Sequence, residues 1–269
     1  MSLMRRKTNT WKHIFFHFIF CIAIIYPCLV QGSEESPVVK PFKDEQSALN
    51  QIKNNPSPQN FQALSRIRMR HALRLSKAAD KKGEIDLYIL ALSYAGSATQ
   101  LTPDNPECWF LLSVLHWQMK ENPWSLMMAE DAAEKAVDLD PADHVARLLF
   151  ARILYNQKKF SSALDQFETV MSAGKLTIED EKLVGLMSSA YVIDFQVLRG
   201  IKFYQRLLNE HPTKESARIA LAILLYHDNR KTEAQKHLAQ IADQKSARKH
   251  NREYAQTLLN HWRNGEKGQ

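Results

Sequence analysis

Prolines at positions 103, 141 and 212 each close a helix-forming stretch, in TQLTP, VDLDP and LNEHP. Twelve residues before each stands a small residue, Ala91, Ala129 or Gly200, and Ala163 and Ala234 extend the series. The steps along Ala91, Ala129, Ala163, Gly200 and Ala234 are 38, 34, 37 and 34 residues. A period of this length constrains the chain more than any local motif, because a unit of that size is one supersecondary element that cannot bury its apolar face alone. Stacking successive units buries it, which predicts a quasi-linear array. A helical bundle with Ala-rich seams is the alternative, but it has no reason to repeat.

The units are helical. From Phe61 onward Ala, Leu, Lys, Gln and Glu dominate, no alternating pattern is sustained, and the whole chain has only 8 Gly. Two antiparallel helices cross closely only where their facing side chains are small. The first-helix position reads Ser113, Ala151, Ser188 and Ala222, and its second-helix partner Ala129, Ala163, Gly200 and Ala234. Phe167, Tyr204 and Leu238 follow one turn later and are expected to fill the wedge between units. In EKAVDLDPADHVA, Ala136 is a packing position on the outgoing helix and Pro141 ends the unit. Asp140 or Asp143 is the expected cap of the next helix.

Residue identities add a resemblance. WFLLSVLH, with Trp109, Leu112 and Ser113, follows W-x-x-L-S-x-x-H; ALDQF at 163–167 and GIKFY at 200–204 repeat a small-x-x-x-aromatic step; AVDLDP closes a unit. Over roughly residues 70–246 the chain resembles the tetratricopeptide repeat family. The resemblance implies an all-α, right-handed α-solenoid of about four to five helix-turn-helix repeats. Departures are visible. Lys158, Phe195 and Asn229 stand near the turn where the family usually has glycine, and the Trp109 position becomes Arg147, Val184 and Arg218. SAGKLTIED replaces a proline ending, and KENPW brings about four extra residues. At the end, REYAQTLLNHW places Tyr254, Leu258 and Trp262 on one stripe, a candidate cap for the open end of the array.

The N-terminus reads as an export signal. Arg5, Arg6, Lys7 and Lys12 precede the apolar run His13–Val30, with Val30 and Gly32 as the small residues of a cleavage site after Gly32. The run is also near the length of a retained single-span anchor. Setting the four leader cations aside leaves 32 basic against 29 acidic residues, so the chain's basic balance does not point to nucleic acid. Cys108 is the one cysteine beyond the leader, which rules out an internal disulfide there. The expected organisation is a leader at 1–32, a Pro-containing polar tether at 33–60, a solenoid at 61–263 and a polar tail at 264–269. At most one short helix is expected in the tether, near Asp44–Lys53.

No phosphate loop, nucleophile elbow or metal-protease motif occurs, and the histidines beyond the leader are scattered. Neither a catalytic site nor a cofactor nor a metal is expected. The family resemblance implies instead a groove lined by first-helix side chains that takes a peptide or partner segment. Carried over by position, one unit contributes Phe110, Val114, Trp117 and Gln118, and the next Leu148, Arg152, Tyr155 and Asn156. Ser189, Val192 and Ile193 follow, then Ile219, Ile223, Tyr226 and His227. Some of these rings are equally candidates for packing between repeats. Arg66, Arg70, Arg74, Lys77 and Lys81 share a helix face, either simply solvated or facing anionic lipid or an acidic partner. The expectation is an exported protein-interaction scaffold of the bacterial envelope or periplasm. A membrane-anchored assembly chaperone is the alternative.

Overall fold

The computed structural model describes residues 42–83, 85–173 and 180–266. The leader, with Val30 and Gly32, lies outside them, as does the GKLTIE stretch at 174–179. The chain divides into two units, Met1–Ser47 and Ala48–Gln269, with the division inside helix α1 (Lys43–Asn54). The expected tether therefore contains a formed helix. A second helix, α2 (Pro58–Lys82), starts three residues ahead of the expected solenoid boundary. SPQN is the signal for that start: Pro58 takes the first helical position and the Ser57 hydroxyl accepts from Asn60 N–H at 3.3 Å.

The remaining helices of the second unit are α3 (Ile85–Leu101), α4 (Pro106–Gln118), α5 (Pro123–Leu139), α6 (His144–Asn156) and α7 (Phe160–Ser172). They continue as α8 (Asp180–Ile193), α9 (Val197–Glu210), α10 (Glu215–His227), α11 (Lys231–Ala242) and α12 (Lys249–Glu266). No strand occurs among the described residues. The pairs α2/α3, α4/α5, α6/α7, α8/α9 and α10/α11 pack side by side, each second helix meets the next first helix, and α12 packs on α11 and α10. Among its described residues the second unit is an all-α, tetratricopeptide-like solenoid of five helix pairs followed by a terminal helix.

The ladder of small residues lies in the seams. Ser113, Ala151, Ser188 and Ala222 are buried, and so are Ala129, Ala163, Gly200 and Ala234. Ala72 and Ala79 against Ala91, Ala95 and Ala98 supply the same close crossing in the longer first pair. At Gly200 even a methyl group is too large. A Cβ there would stand 2.6 Å from Leu224 Cδ1 and 2.7 and 2.8 Å from Tyr191 Cδ2 and Cγ. Phe167, Tyr204 and Leu238 are fully buried in the wedge between units. Trp109 packs against both buried clusters among the described residues, which joins the first pair to the rest.

Three of the turns within pairs share one geometry. Lys158, Phe195 and Asn229 have φ of 62°, 55° and 62°, in the left-handed region where glycine would ordinarily serve. In each, the next N–H reaches back five residues, from Lys159 to Leu154, Gln196 to Tyr191 and Arg230 to Leu225, at 2.8–2.9 Å. That bond satisfies a carbonyl the helix end would leave open. The α4/α5 turn is built differently, because α5 begins one helical turn further ahead of its small residue and the linker Met119–Asn122 is four residues long. These are the extra residues of KENPW.

Caps follow the side chains. Asn105, Asn122 and Asp143 accept from Glu107, Trp124 and Val145 N–H at 3.0, 2.9 and 2.8 Å, opening α4, α5 and α6. Of the two aspartates flanking Pro141, Asp143 is therefore the cap. Asp140 instead accepts from Ala142 N–H within the turn. The terminal helix corrects the expected stripe: Asn251, Ala255, Leu259 and Trp262 are its buried face, while Tyr254 is 44% exposed. Ala255 supplies a small contact there, and an alanine carries little weight in an apolar pattern read for bulky residues.

Candidate functional site

The first helices α4, α6, α8 and α10 present one file of side chains in register. Gln118, Asn156, Ile193 and His227 are exposed, spaced by the repeat period. One residue earlier stand Trp117, Tyr155, Val192 and Tyr226, each half-buried. A turn further back lie Val114, Arg152, Ser189 and Ile223, also half-buried. Phe110 and Leu148 begin the file in α4 and α6; the matching Ile219 in α10 is buried and belongs to the core.

Several of these side chains are already engaged. Tyr155 Oη and Ser189 Oγ stand 2.9 Å apart and link α6 to α8 across 34 residues. The Tyr155 ring meets Phe160 edge-on, with centroids 5.3 Å apart. Asn156 turns its amide onto the Arg152 carbonyl at 3.0 Å. Trp117 carries the Lys120 ammonium 5.0 Å over its ring, while Tyr226 is stacked on Trp262 of α12 at 4.1 Å and 12°. Tyr226 thus bridges the last repeat to the cap. No spacing argument reveals this, because the partner lies on a helix outside the repeat.

The same face has an unfilled position. Gly185 in α8 stands where α4, α6 and α10 carry Phe110, Leu148 and Ile219. It is exposed, and a Cβ added there meets nothing within 4 Å. Glycine inside a helix is costly, by about 1 kcal/mol relative to alanine. Its companion positions carry large apolar groups, so the gap lies within an otherwise apolar row. Sequence reading passed over it because a glycine adds no side chain to a list of groove residues.

The remaining expected residues fall elsewhere. Arg66, Arg70, Arg74, Lys77 and Lys81 are exposed along α2, opposite its buried residues Leu64, His71, Ala72 and Ala79. Pro141 and Pro212 are exposed at the joints, and Ala136 is buried on α5. At those joints Trp109 Nε1 donates to the Pro103 carbonyl at 2.8 Å. Arg147 and Arg218 donate to Pro141 and Pro212 at 2.9 and 2.7 Å.

Titratable chemistry is sparse. Among the described residues no group of three or more His, Cys, Asp or Glu is arranged to hold a metal ion. His116 in α4 is held neutral by burial, its pKa lowered to about 4. Cys108 is buried in a polar knot: Ser65 and Thr102 hydroxyls lie 3.3 Å from its sulfur, and Met69 sulfur also at 3.3 Å. Burial raises the Tyr191 phenol, and its hydrogen bond to Glu168 adds to the shift. No helix among the described residues is long and apolar enough to cross a membrane.

No protein-family model and no curated protein matches this sequence. Solved structures with a similar chain trace include MamA of Desulfovibrio magneticus RS-1 from residue 41 onward. It is 18% identical over 64% of this chain and 92% of that one, with a TM-score of 0.46. YrrB, described as a TPR protein with an unusual peptide-binding site, is 12% identical over 72% of this chain and 90% of its own, with a TM-score of 0.47. PilF of Pseudomonas aeruginosa is 16% identical over 65% and 75%, with a TM-score of 0.43. The likeness lies in the chain trace and assigns no residue of this chain a role.

Proposed function

We propose that the chain is a protein-interaction scaffold that takes a peptide or partner segment along the first-helix face. The observation that carries this reading is the in-register file Gln118, Asn156, Ile193 and His227, exposed on four consecutive first helices. A segment lying across the helices meets one position per repeat, flanked by the half-buried Trp117 and Tyr155 and the gap at Gly185. Rings beside hydrogen-bonding groups suit a peptide whose backbone is gripped while its side chains pack. Gly185 gives the test. Gly185→Leu adds a side chain in open space, so helical circular dichroism should be retained and the melting temperature held or raised. Photo-crosslinks from Gln118 and Asn156 to a partner should be lost. Crosslinks that persist unchanged in Gly185→Leu, or that arise only from second-helix positions, would remove this face as the site.

The setting forms part of the proposal. The leader composition supports export to a bacterial envelope, where a scaffold of this kind would serve an assembly or secretion complex. The exposed basic file of α2 supports a second reading, an anchored assembly chaperone with Arg66, Arg70, Arg74, Lys77 and Lys81 at anionic lipid. Mass measurement of the mature N-terminus separates the two: a chain beginning at Ser33 removes the anchor.

A further inference from the structure

Phe195 is out of place by every ordinary criterion. It occupies the left-handed position of the α8/α9 turn at φ 55°, where the equivalent turns use Lys158 and Asn229. A bulky side chain there carries strain of about 1–2 kcal/mol. Burial does not offset it, because Phe195 is 95% exposed. Leu198, at the head of α9, is 61% exposed. Lys202 and Arg206 follow Leu198 at i+4 and i+8, both exposed, so one stripe of α9 runs from apolar to cationic.

Beside the cationic end lies an open cavity of about 400 Å³ lined by Glu168, Arg199, Lys202, Phe203 and Arg206. Its one acidic lining residue, Glu168, is already engaged, and so is the neighbouring Asp165. Glu168 accepts from Arg199 Nε at 2.8 Å and from Tyr191 Oη at 2.6 Å, and Asp165 accepts from Arg199 Nη2 at 2.5 Å. Lys202 and Arg206 have no such partner among the described residues. The Arg206 guanidinium rests 5.7 Å from the Phe203 ring centroid, which positions it without neutralising it. The cavity therefore offers two cations, Lys202 and Arg206, without an ion-pair partner among the described residues, on the same helix as the exposed Leu198.

We propose that this second-helix surface is a separate docking site for an acidic amphipathic protein segment. Carboxylates would meet Lys202 and Arg206, and apolar side chains would cover Phe195 and Leu198. Charge complementarity selects the occupant, and a cavity favours individual carboxylate side chains over a flat bilayer surface.

The test uses the purified full chain and a fluorescein-labelled synthetic peptide alternating Leu and Phe with Glu, read by anisotropy. Lys202→Glu with Arg206→Glu should weaken binding by roughly tenfold or more. Phe195→Asn should also weaken it while raising the melting temperature, since asparagine suits the left-handed backbone. Gly185→Leu should leave it unchanged, because that substitution lies on the first-helix face. The proposal is overturned if the charge-reversed chain binds as wild type, if Gly185→Leu weakens binding equally, or if no binding appears up to about 1 mM. It is overturned equally if phosphatidylglycerol vesicles, and not the peptide, are captured through Lys202 and Arg206.

Discussion

The Arg147 guanidinium donates a 2.9 Å hydrogen bond to the carbonyl of Pro141, six residues earlier. Arg218 does the same to Pro212 at 2.7 Å, and Trp109 reaches Pro103 through its indole N–H at 2.8 Å. All three donors are the fourth residue of a first helix. An arginine therefore replaces tryptophan without breaking the joint, because the joint needs an N–H at that reach. Its other nitrogen continues to the same repeat's second helix, Arg147 to Gln166 at 2.6 Å and Arg218 to Gln240 at 2.8 Å. Arg147→Leu should cost about 1 kcal/mol in urea denaturation, and Arg147→Trp should recover most of it. Equal losses in the two variants would show that the carbonyl bond is not what holds the joint.

The Gly200 position makes a sharper demand. Alanine there would gain about 1 kcal/mol of helix propensity, but its Cβ would press on the Tyr191 ring and Leu224 at under 3 Å. Overpacking costs about 1–3 kcal/mol, so Gly200→Ala should be net destabilising. The equivalent pairs elsewhere are Leu154 with Ala163 and Leu225 with Ala234, a smaller first-helix side chain facing a larger second-helix one. Adding Tyr191→Leu to Gly200→Ala should then cost less than the sum of the single changes. Strict additivity in that double-mutant cycle would contradict the volume exchange.

His116 occupies the same first-helix position as Leu154 and Leu225, and burial lowers its pKa to about 4 from an ordinary value of 6.5. Well above pH 6.5 it is neutral folded or unfolded and stability does not depend on its titration. As pH falls from 6.5 to 4 the unfolded chain takes up a proton that the folded chain refuses, so folding is progressively penalised. The penalty reaches about 2 kcal/mol at pH 5. His116→Leu should flatten this dependence, measured as urea midpoints at pH 7.5 and 5.0. An unchanged difference between the two pH values would assign the acid sensitivity to other groups.

Whether a feature was legible in the sequence depended on whether its cause was local or periodic. The seams were, because Ala129, Ala163 and Ala234 recur where crossing helices demand a small residue. The start of α2 was missed, since SPQN sits among prolines that also read as a tether and its capping role shows only through the Ser57 hydrogen bond. The left-handed turns hid in plain view: Lys158, Phe195 and Asn229 were recognised as glycine replacements, yet their identity alone does not disclose a positive φ. Least legible was the terminal helix. Its buried face depends on where α10 and α11 stand, and the stacking of Tyr226 on Trp262 crosses 36 residues outside any repeat.

That stacking decides which experiments can probe the first-helix face. Trp262 is 6% exposed, and its ring covers Tyr226 from α12. The same helix is held at its start by Glu215 of α10, which accepts from Arg248 N–H at 3.2 Å and from Asn251 Nδ2 at 2.7 Å. Removing the Trp262 ring should cost about 3 kcal/mol, the usual scale for a large buried aromatic. In an array where each unit touches only its neighbours, the loss should remain near the end. Hydrogen exchange in Trp262→Ala should therefore quicken in α10, α11 and α12, with α4 to α7 close to wild type. Tyr226→Ala should reproduce the same local loosening, so lost partner capture in that variant would report on the cap and not on the face. Uniform acceleration through α4 would instead mean that the solenoid opens as one cooperative unit.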